Sequence, residues 1–147
     1  MRSRYAAFAL GLGGYLIDSL AKDHPDRAGA RDDIVRAASS ARGKKRFLGL
    51  TILDATTNGD AGEVLFVARI FERGRDESFA ELSTFRREGG GFRYANGVIL
   101  ERARLPEDAR ALTRDAFLRL AAANGADGGT SDPSHPTSAA SRAPPVR

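Results

Sequence analysis

The sequence predicts an α+β domain, and three observations carry that prediction. Apolar residues recur at helical spacing through roughly the first 42 positions. From Phe47 to about Leu100 the pattern changes to β-branched and aromatic runs separated by Gly-rich turns. The helical segments come first and the strands afterwards, without βα alternation, which is the pattern of an antiparallel sheet with helices gathered on it. The expected domain spans residues 1–102, followed by an amphipathic helix over 103–124 and a disordered tail over 125–147.

The first helix is expected over Arg2 to Leu10, where Tyr5, Ala6, Phe8, Ala9 and Leu10 favour it, although so short a helix needs packing to persist. Leu12, Leu16 and Leu20 recur every four residues and predict a second helix ending at His24-Pro25, because the residue before proline avoids the α region. A third is predicted over about 30–42. Ile34, Ala38 and Ala41 share a face, Asp32 and Asp33 stand at its start, and Lys44 to Arg46 follow its end, as the helix dipole favours.

Phe47 to Thr56 reads as the first strand and Asn58 to Gly62 as its turn. Val64 to Phe71 is apolar on both faces apart from Arg69, as in a central strand covered on both sides, and Gly74 closes it. Phe79, Glu81, Ser83 and Phe85 alternate with Ala80, Leu82 and Thr84 in a third strand. Gly89-Gly90-Gly91 is a hairpin turn, Phe92 to Ala95 a fourth strand, and Asn96-Gly97 a further turn signal, with Val98 to Leu100 extending the sheet. A last helix is expected from Pro106, a residue suited to the first helical position, with Ala109, Leu112, Ala116 and Leu120 on one face and Phe117 beside them. Beyond Gly125 there is no Leu, Ile, Phe or Tyr, and four of the six prolines fall there, so that segment has no core to join.

Composition narrows the chemistry. A chain of 147 residues with 41% hydrophobic content builds one core without a disulfide or metal staple. With no cysteine there is no thiolate chemistry and no Cys-ligated zinc. The net charge is +4, and 20 of the 23 basic residues are arginine, yet most alternate with acids. Only Arg42, Lys44, Lys45 and Arg46 form a run, a weak footprint for nucleic acid, which is therefore disfavoured as a partner. Gly11-Leu12-Gly13-Gly14 lacks a preceding strand and a following Lys-Ser/Thr, so it reads as a helix break and not as a phosphate loop. The N-terminus imitates a secretory signal: Arg2 and Arg4, an uncharged run from Tyr5 to Ile17, then Ser19-Leu20-Ala21. That run is too short to span a bilayer as a helix.

The order of segments carries a resemblance. Met1-Arg2-Ser3-Arg4-Tyr5-Ala6-Ala7-Phe8 opens the chain, then Tyr15-Leu16 and His24-Pro25. Phe47-Leu48-Gly49-Leu50, Gly62 to Arg69, Glu81-Leu82-Ser83-Thr84-Phe85 and a hairpin ending at Gly97 follow. Residues 1 to about 100 thereby resemble the middle domain of the YchJ family, an uncharacterised bacterial group with a fold like nuclear transport factor 2. The resemblance implies a cone in which helices pack on a curved sheet that can enclose a pocket. Because the N-terminal segment is internal in that family, it counts against the signal peptide. Family members usually carry a Cys-rich SEC-C zinc motif ahead of this domain, no part of which lies in this sequence. The expectation is accordingly that Met1 is not the ancestral start: either translation begins upstream, with an in-frame extension that encodes a Cys-rich segment, or this copy is a shortened descendant that tolerates a frayed first helix. Tryptophans common in the family look replaced by Phe47 and Phe92. The family has no established reaction, so no catalytic residue carries over.

Four residues stand out as candidates for a pocket or its rim: His24, Arg69, Glu81 and Ser83. His24 is the one histidine of the folded region, and without a second ligand it makes a poor metal site. No zinc or other cofactor is expected. Glu81 and Ser83 lie between Phe79 and Phe85 on one strand face; if that face is concave and buried, Glu81 needs a partner and Arg69 of the neighbouring strand is the obvious one, whereas a simple cross-strand pair near solvent is the favoured reading. The leading expectation is a cytoplasmic, non-enzymatic domain that binds a small ligand or a protein partner, with a homodimer allowed for. The alternatives are a small cofactor-free enzyme using Glu81 for proton transfer and a ribosome- or RNA-associated factor. An enzyme needs open space around the acid, whereas a structural role leaves it plugged.

Overall fold

The computed structural model describes residues 1–124; the tail expected over 125–147 lies outside the described residues. The helices are α1 (Arg2–Leu10), α2 (Gly13–Asp18) and α3 (Arg31–Lys44), with a 3₁₀ turn at Pro25–Ala28. Five strands follow: β1 (Lys45–Asn58), β2 (Ala61–Glu72), β3 (Arg75–Asp76), β4 (Phe79–Glu88) and β5 (Gly91–Glu101). Two more 3₁₀ turns lead into α4 (Arg114–Asn124). The sheet is an antiparallel meander in the order β1-β2-β4-β5, with the short β3 paired to the end of β2. Register shifts at Phe47/Gly49, Ile52/Asp54 and Thr84/Phe85 mark bulges, which bend and twist the strands that carry them. The α+β expectation holds, as does the curved antiparallel sheet.

Alternation along β2 organises the interior. Phe66, Ala68 and Ile70 point to one face, where they meet Phe79, Phe47, Met1 and Tyr5. Leu65 and Val67 point to the other, where Ala80, Leu82 and Leu100 join them under Leu105, Leu112 and Phe117. A central strand clothed on both sides is what the continuous apolar run of β2 called for. On the first face the three N-terminal helices form the lid. Gly13 permits their closest approach: a Cβ there would lie 2.6 Å from the Cα of Val35 on α3. Gly11, in the left-handed region at φ 69°, ends α1 while the Leu12 amide reaches back to Ala7 at 2.8 Å, a Schellman closure that needs no nucleotide to explain it.

Four local expectations are corrected. The second helix stops at Asp18, so Leu12 lies outside it and is exposed, while Leu20 is buried in a parallel bridge to Tyr94. Lys45 both caps α3, its amide donating to the Ala41 carbonyl, and opens β1, and Arg46 lies in the strand and not at the helix end. Asn96-Gly97 is no turn, because β5 runs unbroken from Gly91 to Glu101 and a bulge absorbs the extra residue. Pro106 does not start a helix. Two 3₁₀ turns precede α4, whose start is set by Thr113, where the hydroxyl accepts the Ala116 amide at 3.2 Å as an N-cap does. Arg114 then bonds to Glu63 and Asp54, tying α4 to the β1–β2 hairpin.

The loop after α2 is clamped to the sheet by charge. Arg86 bridges Asp23 and Glu88, and Glu88 accepts the Lys22 amide at 3.0 Å. The hydrogen bonds from Arg86 hold both carboxyls below their usual range. A depressed carboxyl stabilises the fold above its ordinary pKa of about 4 and loses that contribution as pH falls through the lowered value.

Two outcomes follow. Phe117 is fully buried under the sheet, so Phe117→Ala should cost ~3–5 kcal/mol in urea denaturation; a loss below ~1 kcal/mol would mean that the C-terminal segment is not part of this core. The melting-temperature gap between the parent and Arg86→Ala should narrow as pH is lowered from neutral to about 2, since the parent's carboxyls then protonate. A gap that stays constant with pH would remove the clamp from the account.

Candidate functional site

Strand β4 presents Phe79, Glu81, Ser83 and Phe85 toward the helices, so an acid and a hydroxyl enter a largely apolar interior. Glu81 is 1% exposed and Ser83 fully buried. The Ser83 hydroxyl donates to Glu81 Oε1 at 2.6 Å, and the Tyr94 phenol, from β5, donates to the same oxygen at 2.9 Å. The space they occupy lies over Gly97, which faces Ser83 across the ladder. A Cβ on Gly97 would fall 2.3 Å from Glu81 Oε1 and 2.4 Å from the Tyr94 oxygen, so only glycine fits. This is the physical role of the residue that sequence pattern assigns to a turn.

Arg4, buried on α1, closes the arrangement from the helical side. Its Nη1 donates to the Leu16 carbonyl at 2.9 Å and to the Ser19 hydroxyl at 2.5 Å. Its guanidinium carbon sits 4.5 Å from the centroid of the Tyr94 ring, a desolvated cation–π contact of a kind worth ~2 kcal/mol. The Tyr94 backbone is pinned as well: its amide donates to the Ser19 carbonyl and its carbonyl accepts the Ala21 amide, both at 2.8 Å. His24 stands at the edge of this group. Its Nδ1 accepts the Asp26 amide at 3.2 Å, capping the 3₁₀ turn, and its ring centroid is 5.6 Å from that of Tyr94.

The structure therefore brings Glu81 and Ser83 together, sets His24 nearby, and removes Arg69. Glu81 lies opposite Phe66 in the ladder, and Arg69, three residues farther along β2, has the opposite parity. It points to the other face of the sheet and is exposed, so the expected Glu81–Arg69 pair does not form. Tyr94 and Arg4 take part instead, and sequence reasoning missed both. The signal for Arg4 was available: it falls between Met1 and Phe8 at helical spacing, on the face of α1 that meets the sheet.

Two cavities flank this polar core. One, of about 290 Å³, is lined by Tyr5, Phe8, Phe47, Phe66 and Phe79, with Ser78 among its polar groups. The other, of about 370 Å³, lies between α1 and the β1–β2 hairpin, with Arg4, Ser19, Thr56 and Phe92 in its wall. Glu81, Ser83 and His24 line neither. Among the described residues no group of three or more His, Asp or Glu side chains is arranged to hold a metal ion.

With this geometry in hand, comparison with known proteins is informative. The family model described as the YchJ middle domain, of nuclear-transport-factor-2-like fold, matches residues 1–97. A UPF0225 protein of Chromobacterium violaceum is 39% identical over 102 residues, covering 67% of this chain and 70% of its own. The solution structure of a SEC-C motif containing protein from Rhodopseudomonas palustris is similar at a TM-score of 0.54 and 32% identity, over 66% of this chain and 73% of that one.

The buried acid sets the prediction. Glu81→Ala leaves two interior hydroxyls without their acceptor, at ~1–3 kcal/mol each, so a loss of roughly 3 kcal/mol or more is expected in chemical denaturation. Gly97→Ala should be comparably damaging, because the added methyl overlaps both oxygens. If both variants unfold within ~0.5 kcal/mol of the parent, the polar core is not as closed as described.

Proposed function

The chain belongs to the YchJ middle-domain family, and we propose that it serves as a non-enzymatic binding domain that takes a small, mainly apolar ligand in the aromatic cavity between α1 and the sheet. One observation carries this reading. The space that a ligand could enter is walled by Tyr5, Phe8, Phe47, Phe66 and Phe79, whereas Glu81 is closed off by Ser83, Tyr94 and the glycine beneath them. A general base must come within hydrogen-bond reach of its substrate's proton, about 2.6–3.2 Å, or act through one water. Glu81 lines neither of the two cavities described, and its two hydroxyl donors give it a structural task. Preformed apolar pockets with a few polar groups are the usual form of small-molecule sites, and a cavity of about 290 Å³ stands at the lower end of their size range of about 300–1,000 Å³. Cytoplasmic residence belongs to the same proposal; among the described residues no helix is long and apolar enough to cross a membrane.

The test uses indole as a neutral aromatic probe, followed by amide chemical shifts. Saturable shifts centred on Phe47, Phe66 and Phe79 are expected. Ala41→Trp, which fills the cavity from α3, should abolish them while preserving the spectrum of the fold. Shifts that do not saturate, or that survive the filled cavity, would refute the assignment.

A further inference from the structure

Strand register gathers basic residues that are far apart in sequence. The run Arg42, Lys44, Lys45 and Arg46 ends α3 and opens β1. Pairing of β1 with β2 sets Lys45 opposite Glu72 and Arg46 opposite Phe71, at the end of β2 that carries Arg69, Arg73 and Arg75. Segments 42–46 and 69–75 thus bring four and three basic side chains to one end of the sheet, where the neighbouring acids are Glu72, Asp76 and Glu77. None of the seven makes an ion pair within 4 Å among the described residues, although Asp54, Glu63, Asp76 and Glu88 elsewhere all have arginine partners. Arg42 and Lys44 also complement the C-terminal end of α3, but that role leaves Arg46, Arg69, Arg73 and Arg75 unexplained.

An aromatic ring lies among them. Phe71 is half-buried and belongs to none of the core clusters of the described residues, unlike Phe66 and Phe79. Arg46 is directly across from it and Arg69 is two residues before it on the same face. Asp76 is on its other side, with its carboxylate held by Arg102 at 3.1 Å. Arg73 follows in the two-residue hairpin loop with Gly74, at φ 51° and 80°. Such a loop favours Asn or Gly at its first position, and an arginine there adopts a backbone conformation that costs about 1–2 kcal/mol. From Arg69 to Arg73 the strand spans about 13 Å at ~3.3 Å per residue.

We propose that this end of the sheet binds a single-stranded nucleic acid, with its phosphates held by Arg46, Arg69 and Arg73 and a base stacked on Phe71. The pairing of arginine forks with an aromatic platform is the chemistry by which single strands are held without strict sequence choice. Five of the seven cations are arginine, and Arg46 and Arg69 flank an aromatic ring on its own face and not a continuous apolar surface, which favours this occupant over an anionic membrane. The sequence disfavoured nucleic acid because a single run of basic residues clusters; the β1–β2 register adds three arginines to that run.

Fluorescence anisotropy of a labelled 12-nucleotide oligouridylate with the full chain tests the proposal. At ~0.7 logarithmic units of slope per phosphate, three contacts should weaken binding about 20-fold between 50 and 200 mM salt. Phe71→Ala should weaken it roughly 5- to 100-fold while retaining the salt slope, since a stacked base is worth ~1–3 kcal/mol. Arg73→Gly removes a charge yet eases the turn, so it should bind more weakly while melting no lower than the parent. Arg119→Glu, on α4, should bind as the parent does. The proposal is overturned by no binding at 50 mM salt, by equal losses in Arg119→Glu and the patch variants, or by capture on phosphatidylserine vesicles without binding of the oligonucleotide.

Discussion

Tyr94 is where the helical and sheet halves of the molecule are fastened, and each part of the residue has a different task. Its amide and carbonyl pair with Ser19 and Ala21, which fastens the chain after α2 to the outer edge of β5 by an isolated parallel bridge. Its ring lies under the Arg4 guanidinium and edge-on to Phe85. Its hydroxyl reaches across to Glu81. An unpaired sheet edge is an invitation to foreign strands, and here the bridge covers part of it. Without those contacts the lid formed by α1 and α2 would be held by apolar packing, the bond from the Gly49 amide to the Tyr5 phenol and the Arg86 clamp, which leave small rotations of a helix open. The hydrogen bonds at Tyr94 are directional and select one seating.

A buried carboxylate is an expensive way to achieve that. Desolvating Glu81 costs several kcal/mol before partners are counted, and an apolar side chain of similar size would pack with no such penalty. What the acid adds is geometric constraint. It fixes the rotamers of Ser83 and Tyr94, requires glycine at position 97, and thereby leaves little room for β4 and β5 to slip relative to each other. A one-residue slip in a sheet exchanges its two faces, which here would carry Glu81 toward α4 and Leu82 toward the helices. The polar core is thus better understood as a device for register than as a source of net stability.

How much of this was legible beforehand depended on the range of the interaction. Local signals worked well: the three N-terminal helices, the order of the strands, the end of β2 near Gly74 and the two-sided burial of β2 follow from periodicity and turn chemistry. The strand face shared by Glu81, Ser83, Phe79 and Phe85 was legible too, from their spacing of two, but a pair near solvent was the favoured reading and the burial of the acid was not foreseen. Their partners were not. Choosing between Arg69 and Tyr94 requires the pairing register of β2, β4 and β5, which sequence alternation leaves free to shift by two residues at a time. The bulge at Thr84/Phe85 then inserts one more residue before Tyr94. Asn96-Gly97 misled because the pair is a strong turn signal, and only the three-dimensional overlap with Glu81 shows why the glycine is there. Pro106 misled in a similar way: it allows a helix to begin but does not oblige it, and the Thr113 cap was stronger.

Parity along β2 also separates the chemistry of the molecule into compartments. Phe66 and Ile70 help to wall the aromatic cavity, while Arg69 and Phe71, next to them in sequence, belong to the opposite face. Lys45 is the point where the two regions adjoin, since it lines the cavity and lies beside Arg46. The strand can therefore serve an apolar site and a charged one within six residues without compromising either, because the sheet itself is the insulator between them. That separation accounts for why the exposed Arg69 is tolerated in an otherwise apolar run. An arginine at position 68 or 70 would enter the interior beside Glu81 or the cavity, whereas at 69 it meets only Gly49 across the ladder, which presents no side chain to obstruct it.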